Sequence, residues 1–105
     1  MSAEPDSVIE VPWNRLPISE AFLPAEASLA FLRETGWPIW TTALVSVLEE
    51  IPTTRARELI LKGEVTVDGA PAHDRMEYIR AGALVRVGGK TYRLGQPWPD
   101  AYGGR

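Results

Sequence analysis

Between Ala56 and Val87 the chain changes its hydrophobic period at a single glycine, and few architectures accommodate that change. Ala56, Leu59, Ile60 and Gly63 stand at i, i+3, i+4 and i+7, a spacing that gathers small and apolar groups on one helix face. Gly63 ends the helix, because glycine enters the left-handed cap conformation without steric cost. From Glu64 the period is two: Val65 and Val67 point one way, Thr66 and Asp68 the other. Asp68-Gly69 signals a turn, and the chain returns through Met76–Arg80 as an arm and Leu84–Val87 as a strand. The expected class is therefore α+β, with a helix hairpin packed on a small, mostly antiparallel sheet.

The segments on either side fit this frame. Residues 1–7 are small, polar or acidic and read as a frayed terminus. Val8–Val11 alternates weakly and is expected as a short edge strand stopped by Pro12. A helix is expected from Pro24 to Gly36, with Leu23, Ala27, Ala30 and Phe31 sharing a face. Trp37-Pro38-Ile39-Trp40 reads as an extended link, its tryptophans covering a small core or, less commonly, stacking on bases. Thr41 or Thr42 is expected to cap the next helix, which presents Leu44, Val47, Leu48 and Ile51 on one face. Pro52 breaks it, and Thr53 or Thr54 is expected to cap the helix that follows. Ala83–Val87, Gly88-Gly89 and Lys90–Leu94 read as a second hairpin. Residues 96–105 read as a tail whose Trp98 lies against the domain. The organisation is thus an extension over 1–40 that packs on the domain, a core unit over 41–95, and the tail.

At 105 residues the chain holds one small domain. Its 45% hydrophobic content is that of a folded protein rather than a disordered one. Without cysteine it can form neither disulfides nor thiolate metal sites, which suits a reducing cytoplasm. There is no apolar run of membrane-spanning length and no signal-peptide pattern. The net charge of −3 argues against nucleic acid, but its distribution argues the other way. Residues 1–52 carry eight acids against two arginines; residues 53–93 carry eight basic residues against five acids. Such asymmetry points to an anionic partner for the second half, although dedicated nucleic-acid modules are usually more basic.

Catalytic chemistry finds few residues. His73, the one histidine, falls in a predicted loop beside Asp74, and sequential neighbours do not face each other as base and orienter. Glu49 and Glu50 point about 100° apart on a helix and read as a solvated face. The acids lack ligand spacing for a metal, and Gly88-Gly89 opens no helix that would cradle a phosphate. The chain is therefore read as non-catalytic and without cofactor or metal.

A binding surface has better material. Arg55 and Lys62 share one flank of the Ala56–Gly63 helix, with Glu58 between them at i+3 and i+4 spacing to pair with either. Arg57 lies on the other flank with no acid three or four positions away, so it is the first choice for a phosphate contact. Arg75 and Arg80 extend the patch. Leu61 points away from the core face, where a partner or the N-terminal helix can dock on it.

Ala56-Arg57, Leu59-Ile60, Gly63, Val65, Val67 and Asp68-Gly69, then Gly82-Ala83, Val85 and Val87, follow a known pattern without a gap through Gly69. In this the chain resembles the RNA-binding domain named after ribosomal small-subunit protein four, S-four-like below. The same domain occurs at the C-terminus of bacterial tyrosyl-tRNA synthetases and in pseudouridine synthases. A linker similar to Val8–Pro12 precedes it in those synthetases. The resemblance covers about half the chain. It implies a bacterial, cytoplasmic translation protein that binds ribosomal or transfer RNA of defined shape through Thr53, Thr54, Arg55, Arg57, Lys62, Arg75 and Arg80.

This chain departs from the pattern at several points. Pro52-Thr53 stands where the family has Ser-Arg, the preceding loop is about three residues shorter, Asp68 replaces Asn, and Gly82-Ala83 replaces Gly-Asp. The alternatives are a protein-interaction module that keeps the fold without RNA, or an accessory piece of a larger RNA-modifying or tRNA-charging enzyme.

Overall fold

The computed structural model describes residues 8–12, 15–19 and 34–95. Most of the expected Pro24–Gly36 helix lies outside the described residues, as do the 1–7 terminus and the tail after Gly95. The described chain is α+β. Its elements are β1 (Val8–Val11), β2 (Trp37–Trp40), α1 (Thr41–Glu49), α2 (Thr53–Leu61), β3 (Val65–Val67), β4 (Ala70–Pro71), β5 (Met76–Ile79), β6 (Leu84–Val87) and β7 (Lys90–Leu94).

The main sheet has five strands in the order β1-β7-β6-β3-β4. It is mixed: β1 runs parallel to β7, and every other pair is antiparallel. Val8–Val11 is an edge strand, as its alternation and Pro12 suggest. The strand pair β6–β7 closes through Gly88-Gly89, with Gly88 at φ +61°. Asp68 and Gly69 turn β3 into β4 with φ of +50° and +87°, the double positive φ that a two-residue hairpin of right-handed twist requires. Asp68 is held there by two bonds to Leu84 of β6. Its N–H donates to Leu84 O at 2.7 Å, and its Oδ1 accepts from Leu84 N–H at 2.9 Å.

A second sheet corrects the sequence reading. Trp37–Trp40 is not a link but strand β2, paired antiparallel with β5 from Trp37↔Ile79 to Trp40↔Met76. The arm expected at Met76–Arg80 is its partner. The pairing joins residues some forty positions apart, where local periodicity carries no signal. Trp37 and Ile39 are buried at 3% and 0% exposure, so Trp37 covers the core as expected, whereas Trp40, expected to do the same, is 43% exposed.

α1 and α2 form a hairpin through Glu50–Pro52. Glu50 takes φ +57°, the Ile51 N–H donates to Ser46 O at 3.1 Å, and the Ser46 hydroxyl donates to Ile51 O. The caps are not the expected threonines. Trp40 and Pro52 occupy the N-cap positions with no side-chain cap bond, and Thr41, Thr42, Thr53 and Thr54 are already helical. Proline at an N-cap is compatible with the extended ψ of 154° seen there.

α2 ends as its sequence dictates. Gly63 has φ +78°, its N–H donates to Ile60 O, and the Glu64 N–H donates to Leu59 O, both at 3.0 Å. These two bonds satisfy carbonyls the helix would leave unpaired and turn the chain into β3. Gly63 is exposed and does not extend the buried face; that face is Ala56 and Ile60, with Leu59 half-buried. Ala56 and Ile60 join Leu44, Val45 and Leu48 of α1 in one core with Val65, Val85, Val87 and Leu94 of the sheet.

Two glycines set the fold's stereochemical limits, for different reasons. A side chain at Gly63 would meet open space, so only the backbone resists it. At Gly36, φ is +92° and a Cβ would approach the Ile79 carbonyl carbon to 2.8 Å. Gly63→Val is expected to cost more than ~1 kcal/mol, since a β-branched residue is an outlier at that φ. Gly36→Ala is expected to cost more than Gly63→Ala, because the clash with β5 adds to the strain. Thermal melts decide both points: about 4–8 °C accompanies each kcal/mol in a domain of this size, and an unchanged Tm for Gly63→Val contradicts the helix end described.

β1 and β2 both belong to the segment read as an extension, and each is a strand in one of the two sheets. Deleting residues 1–40 removes the partner of β5 and uncovers the core contacts of Val11, Trp37 and Ile39. The 41–105 fragment is expected to be poorly soluble or partly unfolded by circular dichroism and gel filtration. A monomeric fragment with a cooperative melt contradicts this.

Candidate nucleic-acid interface

The outer side of α2 is where the expected basic residues stand. Thr54, Arg55, Arg57, Leu61 and Lys62 are exposed because Ala56 and Ile60 turn the opposite side inward, and Thr53 is exposed as the first residue of the helix. Against this surface lies the loop that leads into β5, and its position follows from bonds to α1. The Thr41 N–H donates to Arg75 O at 3.0 Å. The Thr41 hydroxyl donates to His73 O and accepts from the Arg75 N–H. The Thr42 hydroxyl donates to Asp74 Oδ1.

Asp74 thereby arrives beside Arg57. Arg57 Nε donates to Asp74 Oδ2 at 2.8 Å, and both side chains keep partial access to solvent. The Thr42 hydroxyl first, and the Arg57 guanidinium second, hold the Asp74 carboxyl below the usual carboxylate range, against a smaller opposing effect of burial. This overturns the ranking read from α2 alone. Arg57 has no acid three or four positions away on its helix, yet it has a partner seventeen residues away.

The other basic candidates are also engaged, with one exception. Arg55 bonds Glu58 at 3.1 Å, so the acid expected to choose between Arg55 and Lys62 takes Arg55. Arg75 pairs with Glu77 at 2.9 Å. Arg80 Nε donates to Glu34 O at 3.1 Å. Arg75 and Arg80 flank opposite ends of β5, roughly 16 Å apart at strand rise, so the loop brings Arg75 towards Arg57 and leaves Arg80 apart. Lys62 forms no ion pair among the described residues. Exposed pairs of this kind contribute only ~0–1 kcal/mol each, and they lower the positive potential of the face without removing it.

Three features escaped the sequence reading. Asp74 was visible only as the neighbour of His73; nothing local connects it with Arg57. Glu49, read as solvated, accepts from the Tyr92 hydroxyl and pairs with Lys90 at 3.4 Å, its side chain only 15% exposed. Burial, and then the Glu49 contact, push the Tyr92 phenol up to about 12. Arg86 stands on the outer face of the main sheet, in register with Thr66 and Thr91 and without an ion pair among the described residues. His73 is exposed in its loop, as expected.

Among the described residues no group of His, Asp and Glu side chains is placed to hold a metal ion, and no helix is long and apolar enough to cross a membrane. A shallow open depression is lined by Glu10, Val11, Pro12, Arg93 and Leu94, with Arg93 and Glu10 paired at 3.7 Å. Comparison of the chain with protein-family models, with curated proteins and with solved structures finds no match.

The Asp74 contacts have a measurable signature. A carboxyl whose folded pKa lies below its unfolded value contributes stability above the unfolded pKa and loses it as pH falls through the folded one. Asp74→Asn is therefore expected to flatten the acid limb of stability below pH ~4. Urea melts across that range test this, and identical limbs for both proteins contradict the contacts.

Proposed function

We propose that the protein is a non-catalytic RNA-binding protein of S-four-like fold that contacts structured RNA, ribosomal or transfer, through the outer side of α2. The observation that carries the reading is the passage from the helix hairpin through the Gly63 cap into β3, with its basic residues on the exposed side. That sequence of elements is what the resemblance implies, and residues 53–93 supply the excess of positive charge. Lys62 contacts phosphate first, Arg55 and Arg57 contribute after exchanging their carboxylate partners, and Thr54 stands on the exposed side while Thr53 is exposed at the start of the helix. Arg75 extends the contact from the loop. Phosphate contacts of this kind set affinity and register without reading sequence. The acidic first half confines contact to one face and keeps affinity moderate.

A second reading, a protein-interaction module, is favoured by Leu61, 73% exposed at the last turn of α2. RNA is preferred because Leu61 stands one turn from Arg57 and next to Lys62, and the acid one turn away, Glu58, is already paired with Arg55.

Fluorescence anisotropy with a structured RNA at two salt concentrations separates the readings. Binding is expected to weaken with salt along a log–log slope of roughly −0.7 to −0.9 per phosphate contact. Lys62→Ala is expected to reduce affinity more than Arg57→Ala, since Asp74 already occupies Arg57. Absence of binding at low salt overturns the RNA reading in favour of the interaction module.

A further inference from the structure

Asp74 sits on Arg57 in the way an RNA phosphate would, and the groups around it allow exchange. It presents one oxygen to the Arg57 Nε at 2.8 Å and the other to the Thr42 hydroxyl. The two contacts are on different helices: Thr42 in the first turn of α1, Arg57 on the outer side of α2. When Arg57 turns away, Asp74 keeps the Thr42 bond and its access to water, with 35% of the side chain exposed. Arg57, 48% exposed, meets solvent or a ligand without crossing the core. Neither charge is stranded, so the pair opens at the modest cost of an exposed ion pair rather than the large cost of a buried one.

We propose that Asp74 is a built-in competitor for the phosphate contact of Arg57, an autoinhibitory carboxylate that RNA must displace. The inference rests on the RNA reading above and adds regulation of that site. A displaced Asp74 takes up a cation from solution while the bound phosphate releases one. Arg57 therefore adds almost nothing to the salt dependence of the native protein. Removing the carboxylate charge turns Arg57 into a full phosphate contact. The loop that carries Asp74 is anchored independently by Thr41, whose N–H and hydroxyl bond the backbone of His73 and Arg75, so its position survives the change.

The test is an anisotropy titration of the full chain, wild type and Asp74→Asn, with one structured RNA across a salt series. Asp74→Asn is expected to bind about two- to fivefold more tightly and to steepen the log–log slope by roughly 0.7 to 0.9, one phosphate contact. Arg57→Ala combined with Asp74→Asn is expected to lose the added slope. A purely structural role for Asp74 changes stability but not the slope. If wild type binds and Asp74→Asn shows neither gain, the competitor is overturned while the RNA reading stands. If neither protein binds at low salt, the RNA reading falls and this inference with it. Circular dichroism of Asp74→Asn checks folding; should it fail to fold, Asp74→Ser takes its place, with the same gain in slope expected and its absence decisive.

Discussion

The docking of the first turn of α1 on the 73–75 loop is the contact on which the remaining arrangement depends. A helix start leaves backbone N–H groups without intrahelical partners, and no side-chain cap serves α1. The loop supplies carbonyl oxygens, and Thr41 and Thr42 add hydroxyls that meet it. Because β2 runs directly into α1 and the loop runs directly into β5, the same bonds fix the register of the two-stranded sheet. They also carry Asp74 to α2. One junction thus aligns a sheet, a helix pair and the charge pattern of the exposed surface.

Local parts of this architecture were legible in the residues. The period switch at Gly63, the Asp68-Gly69 and Gly88-Gly89 turns and the Pro52 break each act within a few residues, and the chain folds there as its pattern requires. The parts that were not legible act across long separations. Strand β2 hides because Trp-Pro-Ile-Trp has no alternation, being covered on both faces at Trp37, Pro38 and Ile39. The threonines at 41 and 42 look like caps, since threonine before an apolar helix commonly is one. Here the loop needs their hydroxyls, and the boundary moves one residue earlier.

The candidate surface divides in the same manner. That Arg55, Arg57 and Lys62 project from the outer side of α2 followed from the burial of Ala56 and Ile60. Which of them holds a carboxylate did not. Glu58 lies within a turn of both Arg55 and Lys62, and helical spacing alone cannot choose between them. Asp74 reaches Arg57 only through the junction with α1. A basic count over 53–93 therefore overstates the positive field of this face, because three of its arginines stand opposite acids from the same stretch.

The borders of the five-stranded sheet bear on how copies of the chain meet one another. An open strand edge offers hydrogen-bonding groups to any neighbour, and long edges nucleate aggregates. One border here is β4, two residues long, where Pro71 has no N–H to give. The opposite border is β1, four residues long, bearing the charge of Glu10 and halted by Pro12. The parallel strand β1 also covers β7, which would otherwise expose a five-residue edge with Tyr92 at its centre. Among the described residues, the five-stranded sheet therefore offers a neighbouring copy no border longer than four residues.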